Sequence, residues 1–172
     1  MEKKLEDYVL TIPDFPEPGT MFRDITSVLQ SSEGLNLAIK ELEKVVKNLD
    51  FDLVAGTESR GFIFGMPIAY NLRKPFIPVR KKGKLPRETL AIDYNLEYGK
   101  ATLEIHKDAI LKGQRVVLID DLIATGGTLA AAIKLIEKLG GLVVAVVVLM
   151  ELESMHGRRA LKNYPLYSIL KY

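Results

Sequence analysis

Cysteine is absent from the 172-residue sequence. Disulfides and thiolate metal sites are therefore excluded, which fits a reducing compartment without requiring one. Histidine is scarce: the two residues, His106 and His156, have no partner at metal-ligand spacing, and both read as structural. Charge of one sign is lacking too. Lys and Arg number 24 against 22 Asp and Glu, a formal net charge of +2. That is too little to point to a nucleic-acid groove, which needs a clustered basic face. The longest apolar run, residues 142–150, is half a membrane span and reads as a buried strand. Met1-Glu2-Lys3-Lys4-Leu5-Glu6-Asp7 carries acids and no apolar stretch, so no secretory signal is expected. Nor is there an internal repeat, a low-complexity tract or a linker rich in Gly or Ser. What remains is the mix of an ordinary globular chain, 48% hydrophobic and 27% charged, long enough for one domain with a sizeable core. The expectation is one soluble, cytoplasmic domain over residues 1–172, with no membrane and no nucleic-acid partner.

Two segments carry helical period. Leu35, Ala38, Ile39, Leu42, Val45, Val46 and Leu49 form one apolar stripe, with Lys40, Glu41, Lys44 and Lys47 outside it. Leu129, Ala132, Ile133, Ile136 and Leu139 form another, which stops at Gly140-Gly141, residues suited to a left-handed C-cap. Between them lie short apolar runs typical of buried parallel strands: Leu53-Val54-Ala55, Phe76-Ile77-Pro78-Val79, Val116-Val117-Leu118-Ile119 and residues 142–149. Residues 61–72 are apolar nearly all round and read as a buried helix containing Pro67. Strands alternating with helices predict right-handed crossovers and an open parallel sheet with helices on both faces. Residues 89–96 and 101–106 flank Glu97-Tyr98-Gly99-Lys100, which reads as a hairpin tip. The Pro-rich N-terminal segment and the end after Met150 fall outside the repeating unit and are expected to cap the sheet's C-terminal edge.

The most informative stretch is Val116-Val117-Leu118-Ile119-Asp120-Asp121-Leu122-Ile123-Ala124-Thr125-Gly126-Gly127-Thr128. Its apolar residues make a strand, two carboxylates stand at the C-terminal end, and a loop of small and hydroxyl residues opens the next helix. A helix N-terminus presents unpaired N–H groups and partial positive charge, which favour a phosphate. Gly126 and Gly127 allow close backbone approach, and Thr125 and Thr128 add hydroxyl donors. The paired acids could accept from both hydroxyls of a ribose diol, or hold a hydrated magnesium ion. In open α/β sheets, ligands bind outside the C-terminal strand ends, where these residues fall. A double glycine alone marks many turns, so the signal lies in the combination. Neither Gly-x-x-x-x-Gly-Lys-Ser/Thr nor Gly-x-Gly-x-x-Gly occurs.

This stretch resembles the phosphoribosyl diphosphate signature of the type I phosphoribosyltransferases. Three more segments resemble the family's adenine-specific branch: Ile12-Pro13-Asp14-Phe15-Pro16-Glu17-Pro18-Gly19 with Met21-Phe22-Arg23-Asp24-Ile25-Thr26; Gly56-Thr57-Glu58-Ser59-Arg60-Gly61-Phe62-Ile63-Phe64-Gly65; and Leu96-Glu97-Tyr98-Gly99-Lys100. The resemblance implies an α/β core with an open parallel sheet, a small hood (about residues 10–26 and 151–172) and a mobile hairpin lid (about residues 82–106). It implies that Asp120 and Asp121 hold the ribose hydroxyls while Ala124, Thr125, Gly126, Gly127 and Thr128 hold the 5′-phosphate. Ser59, Arg60 and Lys84 would meet the pyrophosphate, with a non-proline cis peptide at Glu58-Ser59. For the base, Phe22 and Leu152 would sandwich adenine, the Met21 carbonyl accepting from its exocyclic amine and the Arg23 amide donating to N1. Glu97 would manage the proton on the base, and Tyr98 would pack on the closed site. The implied cofactor is Mg2+, held through substrate and water rather than by protein ligands. The implied assembly is a homodimer, and the implied reaction makes AMP from adenine and 5-phosphoribosyl 1-diphosphate. Two other readings stay open: transfer to another base, such as a 6-oxopurine or orotate, and a non-catalytic sensor of phosphoribosyl diphosphate. Sensors of that kind carry an added N-terminal DNA-binding domain, and about 25 residues before the first periodic helix are too few for one.

Overall fold

A computed structural model describes residues 3–96 and 99–172. Along the chain come β1 (Leu10–Pro13), β2 (Met21–Asp24), α1 (Ile25–Leu29), α2 (Ser32–Val46), β3 (Leu53–Thr57), α3 (Arg60–Asn71) and β4 (Phe76–Lys81). They are followed by β5 (Thr89–Asn95), β6 (Lys100–His106), β7 (Arg115–Ile123), α4 (Gly127–Lys138), β8 (Leu142–Glu151) and β9 (Leu166–Lys171). Seven strands form one sheet in the order β5-β6-β4-β3-β7-β8-β9, while β1 and β2 pair separately as an antiparallel hairpin. The centre of the sheet is parallel, from β4 through β3, β7 and β8 to β9.

Period-two alternation along the buried strands feeds two cores. Val117 and Ile119 face α2 and α3, packing with Leu42, Val46, Phe64 and Ile68. Val116 and Leu118 face the other way, toward Leu129, Ile133 and Ile136 of α4. Each such side chain contributes about 1.5–3 kcal/mol on burial, so β7 is fixed from both sides and its C-terminal end has little freedom. Helix α2 starts where the Ser31 hydroxyl accepts from the Gly34 N–H at 3.2 Å. Helix α4 stops as expected: Gly140, at φ +90, donates to Glu137, and Gly141 donates to Ile136. That pair of bonds is the Schellman closure, which glycine admits without a Cβ penalty.

Four elements differ from the sequence reading. The hairpin of β5 and β6 joins the main sheet, because β6 pairs antiparallel with β4 through Arg80↔Glu104 and Lys81↔Leu103. The sheet is therefore mostly parallel with an antiparallel edge. Residues 166–171, expected in the hood, instead extend the sheet as β9, parallel to β8. Strand β7 runs past Ile119 to Ile123, since Asp120, Leu122 and Ile123 still pair with β8, so the acid pair lies within the strand. Helix α3 buries only one face: Ile63, Met66 and Tyr70 are 38%, 50% and 81% exposed. Those three share one side at helical spacing, and uniform apolar composition hid it.

Candidate active site

Residues 58–60 follow β3 and open α3, and residues 120–129 carry β7 into α4. The two parallel strands are neighbours, so both crossings open on the same edge of the sheet. There they line one cavity of about 220 Å³: Glu58, Ser59 and Arg60 on one side, and Asp120, Asp121 and residues 122–129 on the other. The Glu58-Ser59 peptide is cis, as the resemblance implied, and Phe15-Pro16 is cis as well.

Backbone donors dominate the loop. Gly126 sits at φ +83 as the N-cap of α4, and no side chain caps that helix. The N–H groups of its first turn thus lack a side-chain acceptor, and an anion would supply one. The loop is buttressed from outside by the 3-10 turn Gly157–Leu161. A Cβ on Gly126 would lie 2.7 Å from the Gly157 carbonyl oxygen, and one on Gly157 would lie 2.3 Å from the Ala124 carbonyl oxygen. Gly157 escaped the sequence reading, since nothing local marks a contact with a loop 30 residues earlier. On the inner side, the Asn95 carbonyl oxygen lies 3.5 Å from where a Cβ on Gly127 would stand, so β5 ends beside the loop.

The two acids are not equivalent. Both are buried, but their partners differ: Asp120 Oδ1 accepts from the Asp121 N–H at 2.8 Å. Burial first, and the neighbouring Asp121 carboxylate second, push the Asp120 carboxyl well above the usual range. The nearby Thr57 hydroxyl acts in the opposite direction, and the carboxyl still lies above the usual range. Gly61 is required where α3 crosses this point: a Cβ there would sit 3.0 Å from Asp120 Oδ1, the Ile119 carbonyl oxygen and Thr57 Oγ1 alike. Asp121 instead pairs with Arg60, Nε to Oδ2 at 2.8 Å. The guanidinium expected on pyrophosphate is thus engaged with the acid expected on the sugar.

A second cavity, about 130 Å³, borders the first through shared Arg60, Asp121 and Leu122. Its other walls are Thr20, Met21, Phe22, Arg23, Ile25 and Leu152. Phe22 is held by β1–β2 pairing opposite Ile12 and by an edge-on contact with Phe15, ring centroids 5.0 Å apart. Leu152 is held at the end of β7 by its N–H, which donates to the Ile123 carbonyl at 3.0 Å. The far side of Phe22 faces an open hollow with Ile12 and Phe15, in which Leu152 has no part. The Arg23 side chain turns away from the second cavity, donating to Thr11 Oγ1 and lying 4.2 Å over the Tyr172 ring. Only its backbone is left for a ligand in this cavity.

Of the residues expected at the site, Lys84 is exposed and lines neither cavity. Its carbonyl accepts from Arg80 Nη1 at 3.2 Å. Glu97 and Tyr98 lie outside the described residues. His106 is buried in β6, and His156 is exposed before the turn that carries Gly157.

A strand-to-helix loop with an uncapped helix start, an acid pair at its root and an adjoining cavity lined by Phe22 and Leu152 define an α/β protein with a site suited to a phosphate-bearing ligand. The model of the phosphoribosyl transferase domain matches residues 25–171. The adenine phosphoribosyltransferase of Lachnoclostridium phytofermentans is 62% identical over 170 residues, 99% of this chain and 98% of that one. Among solved structures, the adenine phosphoribosyltransferase of Thermoanaerobacter pseudethanolicus superposes with a TM-score of 0.93 at 50% identity, covering 98% of this chain and 100% of its own. The Saccharomyces cerevisiae enzyme, crystallised with an imino-altritol bisphosphate and adenine, gives 0.89 at 37% identity over 96% of each chain. The chain belongs to the phosphoribosyltransferase family and, within it, to the adenine phosphoribosyltransferases.

Proposed function

We propose that this chain transfers the 5-phosphoribosyl group of 5-phosphoribosyl 1-diphosphate to N9 of adenine, releasing AMP and pyrophosphate. One observation carries the reading: the cavity at the loop before α4 and a smaller one lined by Phe22 and Leu152 are adjacent and share Arg60, Asp121 and Leu122. The ribose would lie at that shared wall, its C1 facing the slot.

In this arrangement the 5′-phosphate caps α4 through the N–H groups and hydroxyls of residues 124–128. The diol hydroxyls meet Asp120 and Asp121, displacing Arg60, whose guanidinium then meets the pyrophosphate oxygens beside Ser59. Asp120 lines the same cavity, and burial with the neighbouring carboxylate pushes it toward its neutral form. Cleavage of the bond between C1 and the pyrophosphate oxygen builds positive charge on the sugar, and N9 of adenine closes on C1 as its proton leaves. The proton is assigned to Glu97, with Tyr98 packing on the closed site, and closure excludes the water that would otherwise attack C1. Lys84 reaches the pyrophosphate from the edge of the hairpin.

Adenine is read by backbone: the Met21 carbonyl accepts from the exocyclic amine and the Arg23 amide donates to N1. Phe22 and Leu152 hold the ring faces, as their placement on opposite elements around one slot supports. Hypoxanthine reverses both polar groups and would lose about 10⁴-fold or more.

Among the described residues no group of three His, Cys, Asp or Glu could hold a metal ion. With Asp120 buried and Asp121 paired, this donor set fits Mg2+ arriving on the diphosphate and touching the protein through water. When bound, Mg2+ neutralises part of the charge that gathers on the departing pyrophosphate. The reading also includes a homodimer and a cytoplasmic location. The exposed Ile63-Met66-Tyr70 stripe of α3 supports self-association, and light scattering of the purified chain tests it.

The deciding experiment follows AMP formation by absorbance with adenine and phosphoribosyl diphosphate, in competition with hypoxanthine, guanine and orotate. Adenine alone should be consumed. Preference for another base, or binding of phosphoribosyl diphosphate without turnover, would replace this reading.

A further inference from the structure

Glu58 precedes the Ser59-Arg60 turn and lines the phosphoribosyl diphosphate cavity, yet its carboxylate points to the opposite flank. Its Oε2 accepts from the Lys81 N–H at 2.8 Å and from Arg80 Nε at 3.0 Å. Arg80 Nη1 passes the link on to the Lys84 carbonyl at 3.2 Å. The far side of the same segment is pinned by the Gly83 N–H on Glu104 Oε2 at 3.0 Å and the Lys82 N–H on the Thr102 carbonyl at 3.2 Å. Residues 81–84 are thus held by the sheet on one side and by Glu58 on the other.

We propose that Glu58 is a positioning residue for the pyrophosphate end of the site: its carboxylate locks the Ser59-Arg60 turn and residues 81–84 into one unit. The proposal rests on the phosphoribosyl transfer reading, in which Arg60 and Lys84 meet the same pyrophosphate. A carboxylate suits the task because it only accepts, and one oxygen serves a backbone donor and a guanidinium at once. Its side chain is 12% exposed, so the pair with Arg80 is sheltered on the Glu58 side. Neither Glu58 nor Arg80 has to touch substrate for the link to matter. Cations set on two separate segments stabilise one leaving group only if their spacing is fixed in advance.

The test uses the full chain carrying Glu58→Gln, Arg80→Gln, or both. Each is measured for the KM of both substrates, for binding of magnesium pyrophosphate, phosphoribosyl diphosphate and adenine by calorimetry, and for Tm. Glu58→Gln keeps the shape and an acceptor for Lys81 but removes the charge that orders Arg80. Each single variant should weaken pyrophosphate and phosphoribosyl diphosphate by about tenfold while the KM for adenine moves less than about twofold, and the double variant should be no worse than the worse single one. A lowered Tm with both KM values unchanged, equal losses for both substrates, or additive losses in the double variant would overturn the proposal. Should Glu58→Gln fail to fold, Arg80→Gln, on the more exposed side of the link, decides by the same substrate split. If the unmodified chain binds phosphoribosyl diphosphate but forms no AMP, the transfer reading fails, and the calorimetric split still decides the role of Glu58.

Discussion

Replacing Gly157 by alanine adds one methyl group outside both cavities, and the structure says what it strikes. The new Cβ would stand 2.3 Å from the Ala124 carbonyl oxygen and 2.7 Å from Ile123 Cγ1. A carbonyl oxygen cannot swing aside as a side chain would, so the loop itself must yield. Reaching an ordinary C···O contact of about 3.3 Å requires a shift of about 1 Å. Overpacking of this kind costs about 1–3 kcal/mol, and a chain of this length loses about 2–4 °C per kcal/mol, so Tm should fall by roughly 2–12 °C. The same shift moves the phosphate loop relative to Arg60 and Phe22. A displacement of about 1 Å costs on the order of 10²-fold in rate, so kcat/KM for phosphoribosyl diphosphate should fall about that far. Thermal scanning and initial rates of AMP formation read the two effects. Gly113→Ala is the control: Gly113 has φ +86 and nothing within 4 Å of an added Cβ, so only backbone strain is felt, without loss of activity. If Gly157→Ala kept the Tm to within about 1 °C and the kcat/KM of the unmodified chain, the interlock of the turn with the loop would not position anything.

Two further substitutions probe the acids. Asp120 has a folded-state pKa raised above its unfolded value, so its favourable contribution is complete at acid pH and is lost as pH rises through the raised folded value. Asp120→Asn cannot ionise. Its Tm should therefore fall less steeply than that of the unmodified chain from mildly acid to mildly alkaline buffer, and parallel curves would contradict the burial argument. Glu97→Ala should lower kcat far more than it raises either KM, as expected for a group acting in the transition state. Unchanged turnover would remove Glu97 from the chemistry.

Much of the fold was legible because its strands are buried on both sides. Runs such as Val116-Val117-Leu118-Ile119 have no polar face, and that alone places them centrally, between helices. The helix stops were legible too, since Gly140 and Gly141 are conformational signals that act locally. What escaped depends on partners far away in the chain. Strand β9 is an ordinary half-buried segment, and only β8, which lies beside it, makes it an edge strand rather than part of the hood. The one-sided burial of α3 escaped for the opposite reason: Ile63, Met66 and Tyr70 are as apolar as their buried neighbours, so composition gave no contrast.

At the site, the division between legible and hidden follows the same line. Gly126, Gly127 and the acid pair are consecutive in sequence, so their chemistry could be read from spacing and the crossing from β7 to α4. The inequality of the acids could not. It arises from partners on another element, although both carboxylates are buried: Asp120 Oδ1 lies 3.0 Å from where a Cβ on Gly61 would stand, while Asp121 pairs with Arg60. The same contact pairs Arg60 with Asp121, which a list of cations cannot reveal. The pair uses Nε of a side chain that is half exposed, so the carboxylate orients a guanidinium whose fork carries further donors toward a phosphate. Sequence supplies the groups, but which of them already hold one another is set by packing between elements far apart in the chain.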